Sequence, residues 1–190
     1  MKVSREQAEK NREVVLTTAS RRFRELGVDG ASVAGIFAEA GLTHGALYVQ
    51  FPGGKESLAS EAIARAFAER RDIWEDLAST RAPAEALAAI VESYVSAGHR
   101  DEPGAGCPTP LMGAEAGRRG GAVRTAYTDG VRGLLDALED VVPGESADER
   151  RRAALRVLST LAGAMLVSRA VDDPTLSDEV LAAARTSLPS

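Results

Sequence analysis

The sequence predicts an all-α protein, and three observations carry that prediction. Apolar residues recur three and four positions apart, alanine-rich stretches dominate, and period-two alternation is scarce. A length of 190 residues and a mass of 19.9 kDa fit one domain or a small head on a larger body.

Ser4 and Gln7 have the spacing of a capping box and open a first helix over Arg5 to Leu26, with Leu16, Ala19, Phe23 and Leu26 on one face. Gly27 is placed to stop it, because glycine accepts the left-handed conformation common just past a helix end. After the Val28-Asp29-Gly30 turn, Ser32 caps a short helix carrying Val33, Ile36, Phe37 and Ala40, which Gly41 ends. Thr43 caps a third helix, His44 to Gln50, and Phe51-Pro52-Gly53-Gly54 prevents its continuation. A long helix then runs from Lys55 to about Thr80, with Ile63, Phe67, Trp74 and Leu77 on its apolar side.

Pro83 suits the first turn of the next helix, whose stripe is Leu87, Ile90, Val91, Tyr94 and Val95. A loop is expected from His99 to Gly106, then a short helix from Pro108 to Ala116, and glycines 117, 120 and 121 break the chain. Val123, Tyr127, Val131, Leu134, Leu135, Leu138 and Val141 trace another amphipathic helix, ended by Pro143-Gly144. Ser146 and Glu149 form a second capping-box pair for a helix reaching Val171, and a last helix is expected over Ser177 to Ser187. Nine helices result, divided into a three-helix head, 1–54, and a helical body, 55–190.

Composition narrows the function. A hydrophobic fraction of 44% and a charged fraction of 27% exclude a disordered chain. The twelve residues between Arg156 and Arg169 fall short of the roughly twenty a spanning helix needs, so no membrane is expected. The charged opening Met1-Lys2-Val3-Ser4-Arg5-Glu6 is unlike a secretory signal, which points to the cytoplasm. One cysteine, Cys107, and two histidines cannot build a thiolate zinc site, and neither a metal nor a cofactor is expected.

Net charge is −5, yet residues 1–60 hold eight basic and seven acidic side chains, and Arg21, Arg22 and Arg24 cluster where a head could meet a polyanion. Gly53-Gly54-Lys55-Glu56-Ser57 fails as a phosphate loop, since Val49 replaces the first glycine and Glu56 the magnesium-binding hydroxyl. Gly30-Ala31-Ser32-Val33-Ala34 is one glycine short of a nucleophile elbow and follows no strand. The chain is therefore not read as an enzyme.

Two short helices joined by a glycine-containing turn describe a helix-turn-helix, whose second helix enters the DNA major groove. Gly30-Ala31-Ser32-Val33, Ile36-Phe37-Ala38-Glu39-Ala40-Gly41-Leu42-Thr43-His44-Gly45-Ala46-Leu47-Tyr48, Phe51 and Lys55-Glu56-Ser57-Leu58 together resemble the TetR/AcrR type of transcriptional regulator. The resemblance covers about the first sixty residues closely, with a weaker likeness at Gly106-Cys107-Pro108. It implies a DNA-reading head, a body that binds a small-molecule effector, a homodimer, and repression of a palindromic double-stranded operator. It places Ser32, Thr43, His44, Gly45, Ala46, Tyr48, Gln50 and Lys55 against DNA, with Tyr48 and Lys55 on phosphates. Phe37, where the family has a small residue, Gln50, where a histidine is common, and the added residue of Gly53-Gly54 depart from the pattern.

The helix over 148–171 carries apolar residues on two arcs. Leu155, Leu158, Ala162 and Met165 are read toward the body, and Val157, Leu161, Ala164 and Val171 toward a second copy. Trp74, Tyr94, Met112, Tyr127 and Met165 are candidate walls of an effector cavity. Cys107, at a helix start, is a candidate for the same ligand region and for an alternative, a repressor that senses electrophiles or oxidants through its thiol. A second alternative is a helical dimer that binds a ligand or protein without touching DNA.

Overall fold

The computed structural model of the chain describes residues 4–43 and 47–188. Among these, regular structure is helical: α1 (Arg5–Gly30), α2 (Val33–Glu39), α3 (Leu47–Gln50), α4 (Gly54–Thr80), α5 (Pro83–Tyr94), α6 (Ala97–Asp101), α7 (Pro108–Arg119), α8 (Gly121–Glu139), α9 (Ala147–Ala170) and α10 (Pro174–Ser187). The helix beyond the expected nine is α6, in the stretch expected as a loop, where Ser96 caps the first turn and a 3₁₀ turn follows over Pro103–Ala105.

Local chemistry sets most of the boundaries. The Ser4 hydroxyl accepts the Gln7 N–H at 3.1 Å, but the Gln7 amide turns to Asn11, so only half of the expected capping box forms. Gly27 does break the helix, with φ +73°, yet a further turn follows to Gly30 and leaves Leu26 48% exposed, off the expected buried face. Ser32 caps α2 by accepting the Gly35 N–H at 3.0 Å. At the other end Gly41 adopts φ +72°, the Leu42 N–H reaches the Phe37 carbonyl, and the Gly41 N–H reaches that of Ala38. This paired arrangement satisfies the last carbonyls and turns the chain toward α3.

Further along, Gly117 stays helical and the break falls at Gly120, φ +71°. The Ser146–Glu149 box forms in full. Asp173 caps α10 through the N–H groups of Thr175 and Leu176, so that helix begins at Pro174 rather than Ser177, with proline in its first turn.

One apolar core runs from Phe23, Phe37 and Phe51 in the head to Trp74, Tyr94 and Leu161 in the body. Helix α4 is its spine, packing on α1, α5 and α8. Phe37, too large for the family pattern, is accommodated by complete burial in this core. Helix α9 divides differently from its expected arcs. Ala154, Val157, Leu158, Leu161, Ala164 and Met165 form one buried face, whereas Leu155 (45% exposed) and Leu166 (53%) point outward. By length and composition α9 could cross a bilayer, contrary to what its uncharged stretch alone suggests, and much of its apolar surface is used in this core.

Candidate nucleic-acid interface

The head presents α2, the Gly41 turn and α3 in sequence. Ser32 is exposed and serves as the α2 cap, and Thr43 is exposed at the end of the turn. His44, Gly45 and Ala46 lie outside the described residues, as do the side chains of Leu47 and Tyr48. Gln50 ends α3 half-buried, its Oε1 enclosed without a hydrogen-bond partner among the described residues. Sequence reasoning missed Val49, which is 83% exposed on α3, since an apolar residue there looks like core. Exposed apolar groups on a reading helix suit thymine methyls.

Electrostatics correct one expectation. Arg21 and Arg22 are paired with Glu25 and Glu39, which ties α1 to α2, and Arg24 is buried toward the body. The arginine cluster is therefore internal bracing. Lys55, half-buried in the first turn of α4, has no ion pair among the described residues. Gly54, the added residue before it, takes φ +64°, which only glycine adopts without steric cost. The exposed pairs Arg5–Glu9 and Lys10–Glu6 hold each other weakly in water and can exchange partners.

In the body, Trp74, Tyr94, Cys107, Met112 and Met165 are buried core, and Tyr127 is half-buried with its hydroxyl donating to the Thr109 carbonyl at 3.0 Å. Burial pushes the Tyr127 phenol up to about 12, and burial likewise raises the Tyr94 phenol well above its ordinary range. None of the six lines the groove of about 560 Å³ that opens instead between α4 and α8. Periodicity offers them as cavity walls because it finds large buried residues without distinguishing packed from open space. Likewise Val157, Leu161 and Ala164, expected at a partner surface, are covered by their own chain, and Val171 is half-buried. The fold does not keep the two arcs that apolar spacing suggests for α9, since Leu158 and Met165 of one are buried together with Val157, Leu161 and Ala164 of the other.

Cys107 caps α7 with its side chain fully buried and Sγ 3.2 Å from the Thr109 hydroxyl. Its N–H donates to His99 Nε2 at 2.8 Å, so that nitrogen is unprotonated and Nδ1 donates to the Tyr94 carbonyl at 2.7 Å. Arg24 and Arg169 hold the carbonyls of Gly106 and Arg100, and Arg70 reaches that of Ala105.

Burial pulls His99 from 6.5 down to about 4. Between those values the unfolded chain binds a proton that the folded one refuses, so stability falls as the pH drops through that window. The loss is up to about 3 kcal/mol. His99→Gln should flatten this part of the pH profile of urea unfolding. A parallel decline in both proteins would assign the loss to other groups.

The head is also joined to the body by side chains that the sequence did not flag. Buried Glu115 of α7 accepts the N–H groups of Val28 at 2.9 Å and Asp29 at 3.1 Å. Arg119, one turn on, pairs with Asp29 at 2.9 Å and Glu56 at 3.0 Å. A lone acid between Met112 and Ala116 on a buried stripe is the signal that could have found it.

The family described as bacterial regulatory proteins, tetR family, matches residues 15–62, the span from the middle of α1 into α4. The HTH-type transcriptional regulator LmrA of Bacillus subtilis is 28% identical over 168 residues, 87% of this chain and 89% of that protein. Among solved structures, reduced NemR of E. coli superposes with a TM-score of 0.79 at 20% identity over 94% of both chains. A TetR-family regulator from Agrobacterium tumefaciens gives 0.78 at 20% identity over 96% of this chain and 100% of that one.

Proposed function

Because the chain belongs to the TetR family of DNA-binding transcriptional regulators, we propose that it acts as a homodimeric repressor, released from a palindromic operator by a small-molecule effector. The observation that carries this reading is the α2–Gly41–α3 element, a helix-turn-helix on an outward part of the fold within the matched span. In this reading residues 1–54 read DNA and residues 55–190 bind the effector and a second copy, all in the cytoplasm. Tyr48 and Lys55 would fix the head on phosphates while Thr43, His44, Gly45 and Ala46 face base edges.

The exposed line on α9 supports the dimer. Leu155, Ser159, Ala162 and Leu166 are spaced four, three and four apart, which places them on one stripe, and Val167 and Leu176 of α10 add exposed apolar area nearby in the sequence. A two-fold partner would cover this stripe with its own copy. Two heads would then meet successive half-sites one or more helical turns apart.

Gel retardation on DNA flanking the protein's own gene tests the reading: binding should be sequence-selective and weaken steeply with salt. Leu166→Glu should convert the dimer to monomer in light scattering and lower operator affinity by at least about a hundredfold, since one head loses the second half-site. Binding at low salt on any sequence would instead favour a helical dimer without a DNA role. As for the thiol alternative, electrophiles reach fully buried Cys107 only through local opening of the α6–α7 segment.

A further inference from the structure

The groove between α4 and α8 has a shape and a connection that the regulator reading leaves unused. Its volume, about 560 Å³, is in the range of drug-sized sites. Phe67 forms its floor, held edge-on against Tyr127 with ring centroids 5.4 Å apart. Gly130 lets that ring lie against the α8 backbone, because a Cβ at this position would overlap it. Ala64, Ala68 and Ala126 stand on the walls, so much of the lining is apolar.

The charges at the groove are unequal. Arg71 is engaged by Asp72 at 3.4 Å and Glu75 at 3.3 Å. Among the described residues Asp129 pairs only with Arg132, in an exposed contact of the kind that contributes little. Glu61 is more sheltered: the Ser57 hydroxyl donates to it at 3.3 Å, and its other oxygen pairs with Arg12 of α1. An apolar floor beneath two carboxylates suits a cation with an apolar body.

Arg12 gives such a cation a route to the head. Its guanidinium lies 4.9 Å from the Phe51 ring centre, and Phe51 directly follows α3. Two ion pairs tie α1 to this part of α4, Arg12–Glu61 and Arg65–Glu13. We propose that the α4–α8 groove binds small organic cations with an apolar body, and that the bound cation takes Glu61 from Arg12 and loosens the seat of α3. The coupling half rests on the reading of the chain as a ligand-responsive regulator; the binding half stands without it.

Tetraphenylphosphonium and tetraphenylborate, ions of like shape and opposite charge, test it on the full-length protein by calorimetry. The cation should bind once per chain and the borate should not. Glu61→Gln should weaken cation binding on the order of tenfold, and Ala64→Leu, which fills the groove from an exposed position, should abolish it. Equal binding of the two ions, or an unchanged Kd in both variants, overturns the site. In gel retardation, tetraphenylphosphonium should lower DNA affinity in the wild type, and that effect should vanish in Ala64→Leu. Cation binding at the groove with DNA affinity unchanged overturns the transfer of Glu61. Failure of the protein to retard DNA selectively in any condition would instead sink the regulator reading, and calorimetry alone would then decide whether the groove binds cations.

Discussion

Gly130→Ala is expected to destabilise the fold by about 3 kcal/mol, the upper part of the range for overpacking, and to lower the melting temperature by about 10 °C. Helices α4 and α8 approach closely here because position 130 has no Cβ, and the ring of Phe67 occupies the space one would take. That ring can turn aside only by breaking its edge-on contact with Tyr127. It is buried, and Tyr127 holds its edge while the Tyr127 hydroxyl is itself anchored on the Thr109 carbonyl. An added methyl must therefore push α8 away from α4 or break the aromatic pair. Nearby Gly133 is the control: a Cβ there meets only Arg71, at 3.4 Å, so Gly133→Ala should be near neutral or slightly stabilising through helix propensity. Urea unfolding of the two variants decides. Equal stability in both would mean that the close approach at Gly130 is not what sets the helix spacing.

These contacts mark where sequence reading stops. Helix type and order are legible because alanine-rich 3.6-residue periodicity, Pro83, Gly41 and the Ser146–Glu149 box are local signals. The helix-turn-helix is legible for the same reason, since its turn is closed by the Gly41 and Leu42 N–H groups within the segment itself. What fails is tertiary. An apolar stripe has no label for the partner that covers it, so spacing alone turns Val157 and Leu161 outward and Leu155 inward, the reverse of what the core requires. Arg21, Arg22 and Arg24 look like a phosphate-facing run, because Glu39 and the Gly106 carbonyl that engage them lie far away in sequence or on another element. The α4–α8 groove leaves no trace in the sequence beyond small residues on two separate helices, a pattern that close packing also produces.

Glu115→Ala is expected to cost about 3 kcal/mol and, more tellingly, to release the junction between head and body. The carboxylate accepts two backbone N–H groups at the start of the helical turn after Gly27, where no intrahelical carbonyl is available to them. Removing it leaves the buried Val28 N–H and the partly buried Asp29 N–H without their acceptor, and a buried donor so orphaned costs about 1–3 kcal/mol. Glutamine is no remedy, since one of the two N–H groups would then face its amide NH₂. Gly27 belongs to the same device: a Cβ there would stand 3.0 Å from Glu115 Oε2, and its φ of +73° disfavours other residues. The turn held by Glu115 leads through Ala31 to Ser32, the cap of α2, and Arg119 pins the same turn to Glu56 at the start of α4. Helix α7 thus fixes both the approach to the helix-turn-helix and the departure from it. Amide exchange of Val28 and Asp29 should accelerate in Glu115→Ala far more than exchange in α9, and operator affinity should fall as the head samples more orientations. If the variant unfolds at lower denaturant while those two amides keep their relative protection, the carboxylate supports the core generally and the junction is held by something else.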